Sequence, residues 1–523
     1  MKKSAIAFGK EVKNFAGRFA DFLRCHKAMA AILMVFLLFL YGVRIFYYDI
    51  SFDSEIAISN QGAILMSWLA INRFGLVATK KIFGLVRFVP YVSNFLLLLT
   101  LGFTALFLSF CVEEWRGKSD RNKWFCYIFP AAYISAPCLA EQFCFSLQSF
   151  EIAWAGLLCA VAVYSFSRLV FYRESIFWAV PGFICMVWAF GSYQAFAGMF
   201  ITLILISFIF HYQNGSFSIS GRHGWLVSGV CFVVIFCIGF IGYLAAAKLI
   251  RFYYHVDSAY IDNMFRWKTL GIQRGLENVR MDVERIYFAS WPTFFQKSFL
   301  PTMIIFIFFS LRRGWRKKQG EYWVYLIALG LLLLSPIYLT LVSGEPQPIR
   351  GQLVYPLVAA LFLAEITTVS RRWLSGILCV AAAFITLRHG HIMTQLFHTA
   401  YMVYEQDKEF AGAVYGRISQ TEADNGLSEC PVVFVGRHGI VLPGDAIRGD
   451  VIGFSFFEWD NGGYAGSTGR ILNLCNTLGY PMRMPDEGQA AMAAEYAKTM
   501  PSWPATDSVQ VKDQIIVIKL SDS

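Results

Sequence analysis

Eleven stretches of apolar sequence, each near the length that crosses a bilayer, constrain this chain more than anything else in it. They run roughly over 28–46, 89–112, 124–140, 150–171, 176–192, 194–211, 224–247, 299–311, 322–343, 352–369 and 374–390. A helix needs about 20 apolar residues to span the hydrocarbon core, and the shorter runs reach it with their flanks. Of the 523 residues 57% are hydrophobic and only 15% charged, against about 25% charged in a soluble domain. The expected class is therefore an all-α polytopic membrane protein. The first run lacks a small-residue cleavage site and is too long for a signal-peptide core, so it is read as a span.

A net charge of +10 would suggest nucleic acid in a soluble protein, but its distribution points to loop retention. Basic residues gather in alternate loops: Arg116, Lys118, Arg121 and Lys123; Arg168 and Arg173; Arg222; Arg312, Arg313, Arg316, Lys317 and Lys318; Arg371 and Arg372. The short intervening loops near 141–149, 192–194 and 344–351 hold one, Arg350. By the positive-inside bias the N-terminus is cytoplasmic, and segments 47–88, 248–298 and 394–523 face outward. Residues 1–27, basic and studded with phenylalanine, read as an amphipathic helix on the cytoplasmic surface. Residues 28–393 form the multi-span body.

From 394 the composition changes. Val432–Val435 is strand-like, 467–478 and 487–499 are helix-like, and Val509–Val511 with Ile515–Ile518 flank a turn at Lys512-Asp513. A small outward α/β domain is expected. The twelve cysteines show no metal-ligand spacing; Cys430 and Cys475 alone lie in the polar C-terminal region, which leaves a disulfide between them open.

Acids beside apolar spans are costly and informative. Asp49, Asp53 and Glu55 follow the first span, and Asp53 and Glu55 flank Ser54 so that a turn can aim both into one cleft. Such a pair suits general base catalysis; a solvated loop is the alternative that spacing does not exclude. Glu141, Gln142, Gln148 and Glu151 recur among Phe143, Phe145 and Phe150, a mixture suited to a sugar or to helix capping. Tyr193 and Gln194 form a tight outward turn that meets a substrate or closes two helix ends. Arg350 and Arg73 present planar forks suited to a lipid-linked phosphate or to phospholipid headgroups. Walker, HExxH and GxSxG motifs are absent.

Asp53-Ser54-Glu55, then Trp68 and Asn72-Arg73-Phe74-Gly75-Leu76, resemble the opening of the type II O-antigen glucosyltransferases, membrane enzymes associated with phage-type serotype conversion. The family pattern is Asp-Thr-Glu, then Trp and Gly-Arg-Phe-Gly-Leu; Ser54 and Asn72 depart from it. The Tyr193-Gln194 turn, Val433–Gly436, Phe456–Asp460 and the closing hairpin extend the resemblance along most of the chain. It implies a GT-C-type hexosyltransferase of the bacterial inner membrane. Such an enzyme takes glucose from undecaprenyl-phosphate-glucose and adds it to O-antigen or another lipid-linked oligosaccharide of lipopolysaccharide on the periplasmic face. It depends on a donor synthase and a flippase, and not on nucleic acid. The resemblance gives Asp53 and Glu55 catalytic roles and Arg73 a structural or phosphate role; Asp49, Glu141, Gln148, Glu151, Tyr193, Gln194 and Arg350 are expected around the substrates from position. The chemistry leaves room for a divalent metal, Mg or Mn, with no ligands assigned. A transporter, flippase or polymerase of lipid-linked saccharides is the alternative. Transporters often carry internal repeats and midplane charges, whereas no repeat is visible here and the charges collect at the outer lip.

Overall fold

The computed structural model describes residues 2–117, 123–215, 224–257, 266–289, 297–317, 320–459 and 467–522, with the side chains of 2–5 and Ser467 left aside. Lys118, Arg121, Arg222, Lys318 and Asp460 lie outside the described residues. Among the described residues, seven helices are long and apolar enough to cross a membrane. Several of the other expected spans are shorter or interrupted helices.

The chain opens with α1 (Lys2–Cys25) and α2 (Lys27–Phe46), followed by three short helices, α3 (Ser54–Ser59), α4 (Gln61–Ala70) and α5 (Phe74–Ile82). Then come α6 (Pro90–Arg116), α7 (Lys123–Ile134), α8 (Cys138–Cys144), α9 (Ser149–Val170), α10 (Ala179–Ser192) and α11 (Phe196–Asn214). The expected span 124–140 is thus split into α7 and α8 by a break before Cys138. The body continues with α12 (Gly224–Tyr254), α13 (Trp267–Tyr287), α14 (Phe299–Lys317), α15 (Tyr322–Leu334), α16 (Tyr338–Ser343) and α17 (Val354–Glu365).

Helices α9 and α11 are enclosed by their neighbours, whereas α12 leaves Val227, Val230, Val234, Ile238 and Ile241 exposed. An apolar outer surface of this kind matches hydrocarbon as solvent. Helix α1 places its aromatic face on protein rather than on lipid alone: Phe15, Phe19 and Phe22 all pack against Phe110 of α6. Arg18 adds an ion pair to Glu114 at 2.7 Å and a hydrogen bond to the Tyr164 hydroxyl at 3.0 Å. On the same side Glu365 is buried between Arg116 and Arg313, so its charge is answered twice.

Helix α18 (Arg372–Asp424) is 53 residues long, about 80 Å at 1.5 Å per residue. It does not stop at 393; Ala411, Val414 and Ile418 continue into the core beneath the C-terminal sheet. That sheet is built from β1 (Val432–Val435), β2 (Val509–Lys512) and β3 (Ile515–Lys519), in the order β1-β3-β2. The hairpin forms where its alternation and turn place it: β2 and β3 are antiparallel, and Asp513 and Gln514 both take positive φ, as a tight two-residue connection requires. β1 lies parallel to β3.

Central β3 is buried on both faces. Ile516 and Ile518 face α19 (Ser467–Thr477), while Ile515 and Val517 face Ala490, Ala493 and Ala497 of α20 (Glu487–Ala497). The apolar side of α19, Ile471, Leu472 and Cys475, therefore belongs to the sheet. The same core takes in Phe52, Trp68, Leu76 and Phe145, which joins the C-terminal sheet to α3–α5 and the α8–α9 turn. Cys430 and Cys475 are both buried free thiols.

The Asn-Arg-Phe-Gly-Leu segment shows why its glycine is needed. A Cβ on Gly75 would fall inside the backbone of Trp188, Gly191 and Ser192 on α10. Trp188 Nε1 donates to the Gly75 carbonyl and to Thr79 Oγ1, both at 3.0 Å. Asn72 takes a left-handed φ of 64°, a conformation that glycine adopts freely and asparagine tolerates. Gly75→Val is expected to force α5 off α10 at about 1–3 kcal/mol, typical of overpacking. The check is a lower melting temperature of the detergent-purified protein; an unchanged melt would contradict this packing.

Candidate active site

Asp53 and Glu55 stand at the start of α3, immediately outside the end of α2. Asp53 takes a left-handed φ of 69° at the N-cap position and its side chain makes no cap bond, so the carboxylate turns away from the helix it precedes. Glu55 lies within the first turn. The two acids meet at Arg470, which α19 supplies from more than 400 residues away. One guanidinium nitrogen reaches Glu55 Oε1 at 2.8 Å, and both terminal nitrogens reach Asp53 Oδ1 at 3.2 Å. The guanidinium also lies over the Phe52 ring, 5.5 Å from its centroid.

Helix α19 docks on α3 through one polar stripe. Arg470 is joined by Asn473, which accepts from Ser59 Oγ at 3.0 Å, and by Thr477, whose hydroxyl donates to the Glu55 carbonyl at 3.4 Å. Residues three and four apart lie on one helix face, so the stripe is opposite in purpose to the apolar side held by the sheet.

The pair is asymmetric. The Asp53 side chain is 45% exposed and that of Glu55 is 0% exposed. Burial pushes the Glu55 carboxyl up to about 8; Arg470 opposes this rise and Asp53 adds to it. At neutral pH Glu55 thus retains its proton, and the Arg470 charge is answered by Asp53. Asp53 is the carboxylate that a substrate can reach, whereas Glu55 braces Arg470 from beneath.

The other expected residues divide into two groups. Asp49 is buried and paired with Arg44, whose guanidinium also donates to the Cys144 carbonyl at 3.2 Å. Burial raises its carboxyl and Arg44 lowers it. Asp49 shares a small cavity with Tyr404 and Asp407 beside Ser51 and Phe52. Glu141 and Glu151, expected at the membrane lip, are both fully enclosed, because each has found a partner inside the protein. Glu141 accepts from the amides of Asp450 at 2.6 Å and Val451 at 3.1 Å. Gly449 permits that approach, since a Cβ there would collide with the carboxylate. Burial and the nearby Asp450 push Glu141 up to about 7, against those amides and Arg350. Glu151 is paired with Lys80 at 2.8 Å, and both are buried.

Gln148 is buried at the N-cap of α9 without a side-chain cap bond. Gln194 donates to the Ile71 carbonyl at 2.8 Å and fastens the α4–α5 turn to the α10–α11 turn. Tyr193 is different: its ring carries the half-buried Arg73 guanidinium at 4.7 Å from the centroid, and its hydroxyl approaches Gly351. Next to Gly351, half-buried Arg350 lies 5.2 Å from the Phe145 ring centroid. Arg73, Tyr193 and Arg350 therefore share one neighbourhood. The Phe145–Ser146 turn links it to the acid pair, since Ser146 N donates to Ser51 Oγ at 3.2 Å.

Four structurally engaged residues were not singled out from sequence: Arg470, Arg44, Lys80 and Asp407. Arg44, inside the first apolar run, and Lys80, in a segment expected to face outward, carried a usable signal, as basic residues there run against the expected charge bias. Arg470 and Asp407 carried none.

A family model described as Glucosyl transferase GtrII matches residues 30–368. No curated protein and no solved structure matches the chain. The matched segment contains both acids, Arg73, Tyr193 and Arg350, and stops short of α19 and Arg470.

The raised Glu55 carboxyl gives a signed pH dependence. Between its ordinary value of 4.5 and about 8, the unfolded chain has released this proton while the folded chain holds it. Stability therefore falls as pH rises through that window and levels off above it. Glu55→Gln should flatten this fall, which melting temperatures of both proteins across the window measure. Parallel curves would contradict the buried, proton-holding state of Glu55.

Proposed function

The chain belongs to the GtrII glucosyl transferase family, and from that premise we propose that it transfers glucose from undecaprenyl-phosphate-glucose to O-antigen on the periplasmic face of the bacterial inner membrane. The carrying observation is the acid pair at the end of the first span, clamped by Arg470, with one carboxylate open and the other enclosed. A polyprenyl donor is confined to the bilayer, so its phosphate has to be met at the membrane surface. Half-buried arginines beside membrane helices, as at Arg73 and Arg350, suit that task.

In this reading an acceptor hydroxyl oxygen attacks the anomeric carbon. The bond from that carbon to the phosphate oxygen breaks, and the phosphate leaves with the electron pair. Asp53 takes the hydroxyl proton as the new glycosidic bond forms. Arg470 and Glu55 hold the Asp53 carboxylate in place. Arg73 and Arg350 meet the charge that develops on the departing phosphate, the usual means of stabilising an oxyanion. A divalent metal, if one takes part, would act on the phosphate oxygens. The GT-C class, the 394–523 outward domain and the partnership with a donor synthase and flippase belong to the same proposal.

The test is mass spectrometry of lipopolysaccharide from cells expressing the chain or its variants. The wild type should add one hexose per repeat unit. Asp53→Asn should lower transfer by about 10²–10⁴-fold, the usual contribution of a general base, at unchanged membrane abundance. No added hexose with the wild type would favour the transporter reading, and near-normal transfer by Asp53→Asn would remove Asp53 as the base.

A further inference from the structure

Helix α2 has a second polar cluster at its other end. It begins at Lys27, and its 20 residues separate that end from Asp49 by about 30 Å at 1.5 Å per residue. There His26, in the break between α1 and α2, meets Glu113 from the last turns of α6 and Cys126 from the first turn of α7. His26 Nε2 lies 3.0 Å from Glu113 Oε2, and Cys126 Sγ lies 3.3 Å from the same oxygen. One ligand atom from each of the three falls within 4.8 Å of the others.

We propose that His26, Glu113 and Cys126 form a binding site for a zinc-class divalent ion. Zinc takes imidazole nitrogen and carboxylate oxygen at about 2.0–2.2 Å and thiolate sulfur at about 2.3 Å. Tetrahedral ligands at those lengths stand roughly 3.3–3.7 Å apart, so the separations of 3.0 and 3.3 Å need only small outward shifts. The donor set itself discriminates. Thiolate and imidazole select zinc or a similar ion, whereas magnesium and manganese prefer oxygen. This site is therefore distinct in chemistry and in place from any metal at a sugar phosphate.

The surroundings leave room for a fourth ligand. The cluster borders an open cavity of about 630 Å³ that Cys25, Gly117 and Lys123 also line. Water from that cavity would complete the tetrahedron. Arg18, the guanidinium on the same wall, is held by Glu114 at 2.7 Å. The ion would pin the α1–α2 junction to α6 and α7, and thereby hold the basic N-terminal helix on the bundle. Binding displaces the Cys126 thiol proton, so affinity weakens in acid.

The experiment uses the full chain in detergent, stripped with a chelator and titrated with Co²⁺ alone. One equivalent should bind with a thiolate-to-cobalt charge-transfer band, and Zn²⁺ should displace it. Cys126→Ser should lose the band while Cys25→Ser keeps it, each checked by an unchanged size-exclusion profile. His26→Gln, which leaves all cysteines in place, should weaken Co²⁺ binding at least tenfold and covers the case in which Cys126→Ser fails to fold. Absence of stoichiometric binding by the wild type, or a band that survives Cys126→Ser, overturns the proposal. Lipopolysaccharide glucosylation plays no part in this readout, so its outcome is separate from that of the transferase reading.

Discussion

An enclosed carboxyl at the edge of a bilayer has to be neutral, paired or both. Glu55 is both: it holds its proton across neutral pH through burial and accepts from Arg470. Removing a charge from water is expensive, and the loss is recovered only where partners are well placed. Arg470 is such a partner, and it arrives on a helix whose apolar face is already committed to the C-terminal sheet. The sheet thus fixes α19, α19 fixes Arg470, and Arg470 fixes the geometry of Asp53. The open carboxylate at the head of α3 depends on residues at the far end of the chain.

The same logic repeats around the end of the bundle where α2 meets α3. Arg44 answers Asp49, Lys80 answers Glu151, and two backbone amides answer Glu141. The first pair is local, the other two join elements distant in sequence, and each gives its buried carboxyl a fixed donor. These contacts hold the walls and leave Asp53, Arg73 and Arg350 as groups with free faces. Breaking one partner would strand a buried charge, which is why such pairs act as fasteners even where their net stabilisation is small.

Much of the helical layout was legible in the sequence because apolar runs and basic loops are local signals. The hairpin was equally legible, since alternation over 509–518 and a polar pair at its turn need no distant partner. The acid pair was singled out by its place after an expected span. Its asymmetry was not legible, because that is set by burial against α19. Arg470 sits 415 residues from Glu55, and nothing in its own neighbourhood marks it. Glu141 and Glu151 were read as lip residues because their aromatic neighbours resemble an interface; Lys80 and the 449–451 backbone cover them instead. The 393 boundary fell inside α18 for a related reason. A helix can change composition along its length without changing its backbone, as α18 does.

The central claim is that Arg470 and Asp53 act as one unit although the family match ends at residue 368. A double-mutant cycle measures this directly, with glucosylation by wild type, Asp53→Asn, Arg470→Gln and the double variant compared at equal membrane abundance. Residues that share one interaction are non-additive. The double variant should therefore be little worse than Asp53→Asn alone. Losses that multiply independently would show that Arg470 and Asp53 do not work together, and would contradict the account.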